Sequence, residues 1–129
     1  MALIRSLTGS SGGGGGYVSG TILPSDWTSQ DGNGTYTTDN LGFVPKVICW
    51  YADSSTQYHF MYIYDADNST STYLGIKNDT WQYNNSVGDS SSTAPWCSLY
   101  NIDSTNKTIT FRRYASTYCS PSIHWVAIG

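Results

Sequence analysis

Beyond residue 16 the chain alternates apolar and polar positions in short runs, and most runs end in a cluster of Gly, Asn, Asp, Ser or Pro. This two-residue period marks strands with a covered face and predicts segments at "YVSGTIL", "TYTTD", "KVICWYA", "YHFMYIYDA", "STSTYLGIK" and "TWQYNN". "SLYNIDSTNKTITFRRYA" reads as a hairpin turning at "DSTNK", and "IHWVAIG" as a last strand. About nine strands and no helix follow. Every connection is short enough for antiparallel pairing, so the expected fold is all-β, an antiparallel β-sandwich of two sheets.

Two of these runs are apolar on both sides. In "YHFMYIYDA", Tyr58, Phe60, Tyr62 and Tyr64 alternate with His59, Met61 and Ile63; in the last strand, Ile123 and Trp125 oppose His124, Val126 and Ile128. A strand with two apolar faces needs two covers, one from the opposite sheet and one from a neighbouring subunit. His124, Val126 and Ile128 are therefore the expected oligomer contact. Pairing along both edges is expected to hold this strand through to Gly129.

Residues 1–16 have no such period. "MALIRSL" is followed by a run of glycines that costs too much entropy to order alone, which predicts a docking peptide and flexible tether over 1–16 and a head domain over 17–129. Leu3, Ile4 and Leu7 are the apolar side chains available for docking, too few to fold without a partner.

Composition narrows the class. Aromatic residues make up 15% of the chain and charged residues 12%, and every acidic residue is Asp, which suits strands and turns and disfavours long helices. A net charge of −3 with scattered basic residues leaves no footprint for nucleic acid or anionic lipid. No run reaches the length of a membrane span, and the opening residues lack the apolar core and cleavage site of a secretory signal.

Catalytic and metal chemistry find little support. The Asp residues sit mostly in turn contexts, no G-x-S-x-G elbow accompanies His59 or His124, and "DADNST" lacks the sixth-position Gly and closing Glu of a calcium loop. Cys49, Cys97 and Cys119 have no C-x-x-C spacing and read as buried thiols. Neither an enzyme, a metal nor a cofactor is expected. In contrast, five Trp and eleven Tyr against three Phe supply flat apolar area with polar edges, the means by which sugars are gripped. Trp50, Trp125 and Tyr64 suit the core or subunit contacts, whereas Trp27, Trp81 and Trp96 lie in polar contexts and are expected to be exposed.

Three segments, in order, resemble bacteriophage tail-fibre and receptor-binding domains: "NLGFVPKVICWYA", "STNKTITFRRY" and the closing "YCSPSIHWVAIG". Those domains are similar in turn to the H-type lectins, antiparallel sandwiches that assemble as trimers, and "SGTILPSDW" looks like the opening strand and first loop of that fold. The resemblance implies a sugar-contacting acid at Asp26 beside Trp27, with further contacts at Tyr62, Arg113, Tyr114 and Tyr118. Several of these positions carry a residue type other than the family's.

The expected function is a non-enzymatic fibre or receptor-binding protein on a phage-like particle, made in the host cytoplasm and displayed on the virion surface. Its N-terminal peptide docks on a tail, baseplate or capsid protein, and its homotrimeric heads adhere to host glycans. A purely structural decoration protein is the alternative, and a polysaccharide depolymerase using Asp26 is a third.

Overall fold

The computed structural model of the chain describes residues 16–30, 34–52, 58–77, 80–84, 97–113 and 122–129. Among them are nine strands: β1 (Tyr17–Ile22), β2 (Thr35–Thr37), β3 (Val47–Ala52), β4 (Tyr58–Asp65), β5 (Thr70–Lys77), β6 (Thr80–Asn84), β7 (Cys97–Asp103), β8 (Thr108–Arg113) and β9 (Ile123–Ile128). A single 3-10 turn, Pro24–Asp26, is the only helical element among the described residues. The strands form two antiparallel sheets, ordered β1-β9-β3-β4-β5-β6 and β2-β8-β7. The protein is an all-β sandwich.

The core lies between the sheets. Trp50 of β3 stacks on Phe60 with ring centroids 5.5 Å apart and meets Phe111 of the second sheet edge-on, also at 5.5 Å. Its indole N–H donates to the carbonyl of Cys97 at 3.2 Å, so one side chain joins both sheets through packing and a hydrogen bond. Ile22, Ile48, Leu99, Ile109, Phe111 and Ile123 close around it with almost no exposure.

β9 pairs along both edges, with β1 and with β3, as its two apolar faces suggested. Ile123, Trp125 and Ala127 are buried; His124, Val126 and Ile128 on the opposite face are only partly covered. Beyond the strand, the amide of Gly129 donates to the carbonyl of Gly16 at 2.9 Å, so Gly16 belongs to the folded body. Gly20 on β1 has no room for a side chain: a Cβ there would sit 2.6 Å from Trp125 Cζ2. The indole of Trp125 packs into the space that glycine leaves.

Two hairpin turns share one chemistry. Asp65 Oδ1 accepts the amides of Asp67 and Asn68 while Asn68 Nδ2 donates to its other oxygen, and Asp103 does the same with Thr105 and Asn106. Ser69 and Lys107 then take positive φ, 52° and 55°, to reverse the chain. The calcium-like "DADNST" is thus a hairpin turn of the same kind as "DSTNKT".

Candidate functional site

Strand register defines two outer faces of the sandwich, one on each sheet. On the three-stranded sheet, Ile109, Phe111 and Arg113 of β8 point inward, which leaves Thr108, Thr110 and Arg112 on the other side. Thr35 and Thr37 pair with Arg112 and Thr110, and hydroxyl contacts run from Thr37 to Thr110 at 2.9 Å and from Thr28 to Thr35 at 3.3 Å. Leu99 points into the core, so alternation puts Tyr100 outward, where it is 43% exposed, and the register with β8 shifts at a bulge between Leu99 and Asn101. The Arg112 guanidinium lies over its ring, 5.4 Å from the centroid. This outer face is polar, rich in hydroxyls, and holds one exposed aromatic plane backed by a cation.

The outer face of the six-stranded sheet is different in kind. One register row runs through Tyr17, Ile128, Val47, Ile63 and Thr72. The next runs through Ser19, Val126, Cys49, Met61, Leu74 and Tyr83. The third is Thr21, His124, Tyr51, His59, Ile76 and Trp81. In that third row Tyr51 is 41% exposed and stands between the imidazoles of His59 and His124, with ring centroids 5.3 and 5.2 Å away. His124 Nδ1 also shares a 3.0 Å hydrogen bond with the Thr21 hydroxyl.

Of the residues the resemblance pointed to, Asp26 is exposed, and its carboxylate accepts the Leu23 amide at 2.8 Å across the 3-10 turn. Trp27, expected to be exposed, is buried at 6%, because its indole faces the Arg113 guanidinium at 5.8 Å. Arg113 is itself 1% exposed and donates to the Ser29 carbonyl at 2.8 Å and to Gln30 Oε1 at 3.3 Å. The structure therefore does bring Trp27 and Arg113 together, but as a buried clamp that fastens the first loop to β8. Tyr62 is elsewhere, 7% exposed, and with Val44, Pro45, Tyr64 and Ile102 it lines a groove of about 300 Å³. Tyr114, Tyr118, Trp96 and the docking residues Leu3, Ile4 and Leu7 lie outside the described residues, and for Trp81 only the strand position is described.

Burial sets most of the shifts in acidity. It pushes the Tyr36 phenol up, helped by the carboxylates of Asp26 and Asp39, and pushes Tyr62 up with a smaller push from Tyr64. It also raises both described thiols, Cys97 far more than Cys49. Tyr36, Asp39 and Asn40 border a second cleft of about 270 Å³ with Gly20 and Trp125 at its edge, and the buried Trp125 N–H has no acceptor among the described residues. No group of three His, Cys, Asp or Glu able to hold a metal occurs among the described residues.

Sequence reasoning missed Tyr100 and Arg112. A signal for them existed: adjacent residues on a strand face opposite ways, so only one of Arg112 and Arg113 could be outward. No protein-family model matches the chain, and comparisons with curated proteins and with solved structures return no match.

Proposed function

We propose that this protein is a non-enzymatic fibre or receptor-binding component of a phage-like particle. In this reading the N-terminal peptide docks on the particle and the sandwich heads associate, as trimers, to adhere to host surface glycans. The observation that carries it is the contrast between the two outer faces. A glycan needs a flat aromatic with polar neighbours, and Tyr100, Arg112 and the threonines around them supply that chemistry on one face. Association needs an apolar surface, and His124, Val126 and Ile128 stand on the other. Linked heads compensate for weak single-site binding by raising the local concentration of sites.

The burial of Trp27, Arg113 and Tyr62 favours a second reading, a structural virion protein that binds no sugar. Adsorption of the assembled protein to host cells and to a glycan array separates the two. Binding that is lost in Tyr100→Ala and Arg112→Ala, with assembly retained, supports adhesion. An assembled protein that binds no host surface leaves the structural reading.

A further inference from the structure

We propose that the free edge of β1 is a docking site for an extended peptide strand of a partner protein, one that carries a basic side chain between two apolar ones. The proposal stands apart from the adhesion reading, since it needs neither a glycan nor a trimer.

The pairing pattern shows which groups are available. The Gly129 amide bonds to the carbonyl of Gly16, its direct opposite when the β1–β9 register is continued, so Gly16, Val18, Gly20 and Ile22 turn their main-chain groups toward β9. Tyr17, Ser19 and Thr21 turn theirs the other way, and β1 has no strand on that side. Their amides and carbonyls line an open edge about 20 Å long over the six residues of β1.

Such an edge invites another strand, and proteins usually blunt it with a short strand, a bulge, a proline or a charge. The smaller sheet does so: β2 has three residues, and β7 is bulged between Leu99 and Asn101. β1 keeps six residues in unbroken register, and "YVSGTI" contains neither proline nor charge. Ser19 and Thr21 are exposed there.

A cleft borders this edge on each side. On the inner side, Val18 and Gly20 face the space of about 270 Å³ that reaches Tyr36, Asp39 and Leu41. On the outer side, Ser19 and Thr21 border one of about 280 Å³ with Tyr17, Tyr51 and Val126. An added strand bonds the edge through its main chain and sends alternate side chains to the two faces, where each finds a cleft.

Charge selects the occupant. Asp39 is exposed at the inner cleft and has no ion pair among the described residues. Burial raises the Tyr36 phenol, and the carboxylates of Asp26 and Asp39 raise it further, which marks a negative field at this cleft. No Lys or Arg is among the described residues that line either cleft. The inward side chain of the added strand is therefore basic, and its outward neighbours, set against Tyr17, Tyr51 and Val126, are apolar. A second copy of β1 would bring Val18, Gly20 or Ile22 to the inner side and leave Asp39 without a cation.

NMR titration of the isotope-labelled full chain with acetyl-Thr-Val-Arg-Val-Thr-amide tests this, at up to about 5 mM because a short strand must be ordered as it binds. We expect saturable shifts centred on the amides of Tyr17, Ser19 and Thr21, with slower hydrogen exchange at the last two. The same peptide with Glu in place of Arg should bind about tenfold more weakly, and Asp39→Asn should remove that difference. Ser19→Pro deletes one free-edge amide without touching a bond to β9, a change that edge strands tolerate. It should prevent binding with circular dichroism unchanged, while Ser19→Ala binds as the wild type does. A wild type without saturable shifts, or a folded Ser19→Pro that binds unchanged, overturns the site. If Ser19→Pro does not fold, shifts centred away from residues 17–21 overturn it instead. Equal affinity for the Arg and Glu peptides overturns the basic occupant. A full chain that associates with itself, and ceases to in folded Ser19→Pro, overturns the foreign peptide in favour of a second copy.

Discussion

The two outer faces of the sandwich are built from the same strand alternation but have opposite chemistry. Behind β8, the outward side chains are threonines, Arg112 and the bulged Tyr100, each able to hydrogen-bond to water. Behind β9 and β3 they are Val126, Ile128, Val47 and Cys49, with Tyr51 and two histidines as the polar content. Both faces are outside the fold's own core, so core burial explains neither. The difference teaches that the smaller sheet meets solvent or ligand, while the larger sheet retains apolar area that a monomer would leave against water.

The largest effect is expected from removing the seam that defines inner and outer. Trp50→Ala deletes the side chain that stacks on Phe60, meets Phe111 and bonds Cys97, and should cost about 3–5 kcal/mol in urea unfolding. Stability unchanged to within 1 kcal/mol in that variant would contradict the inter-sheet role. Next comes the clamp beneath the polar face: Arg113→Ala should lose about 2–3 kcal/mol through the Ser29 and Gln30 bonds and the Trp27 contact. Its outward neighbour, Arg112→Ala, should stay within about 0.5 kcal/mol of wild type.

Thiol labelling sharpens the comparison without touching stability. Cys97 is fully buried and its thiol is pushed strongly upward by desolvation, so it should react only as fast as the domain opens. Cys49 is half-buried on the apolar outer face and less shifted. It should label well ahead of Cys97 in the folded protein; equal rates at the two thiols would contradict the difference in their burial.

The smallest effect belongs to the hairpin turns. Hydrogen bonds from Asn68 hold the Asp65 carboxyl below its usual range, and those from Asn106 and Thr105 do the same for Asp103. A depressed folded-state value means that the contribution is present above the ordinary carboxylate range and is lost as pH falls through the lowered one. Asp65→Asn with Asp103→Asn should therefore flatten the acid end of a stability–pH curve slightly and leave neutral pH nearly unchanged, as thermal melts from pH 2 to 7 would register.

Much of the fold was legible because period-two alternation is local. The runs at Val47–Ala52, Tyr58–Asp65 and Ile123–Ile128 announced their faces residue by residue, and the "DSTNK" turn announced its hairpin. The candidate site was less legible. Trp27 stands among Ser, Thr and Asp, which reads as an exposed loop, and only the approach of β8 through Arg113 gives it a burial partner. Tyr100 is one strand tyrosine among several, and only the pairing of β7 with β8 sets its ring under the Arg112 guanidinium.

By itself, the amino-acid sequence determined that the chain forms antiparallel strands, where most of them turn, and which residues of each share a face, because these depend on neighbours one to four positions away. Only the tertiary structure decided that β9 inserts between β1 and β3, that six strands gather in one sheet and three in the other, and that Trp27 and Arg113 lie beneath a surface and not on it. Those outcomes depend on contacts between segments up to about a hundred residues apart. Alternation tells each strand that it has two sides, and packing alone tells it what lies against them.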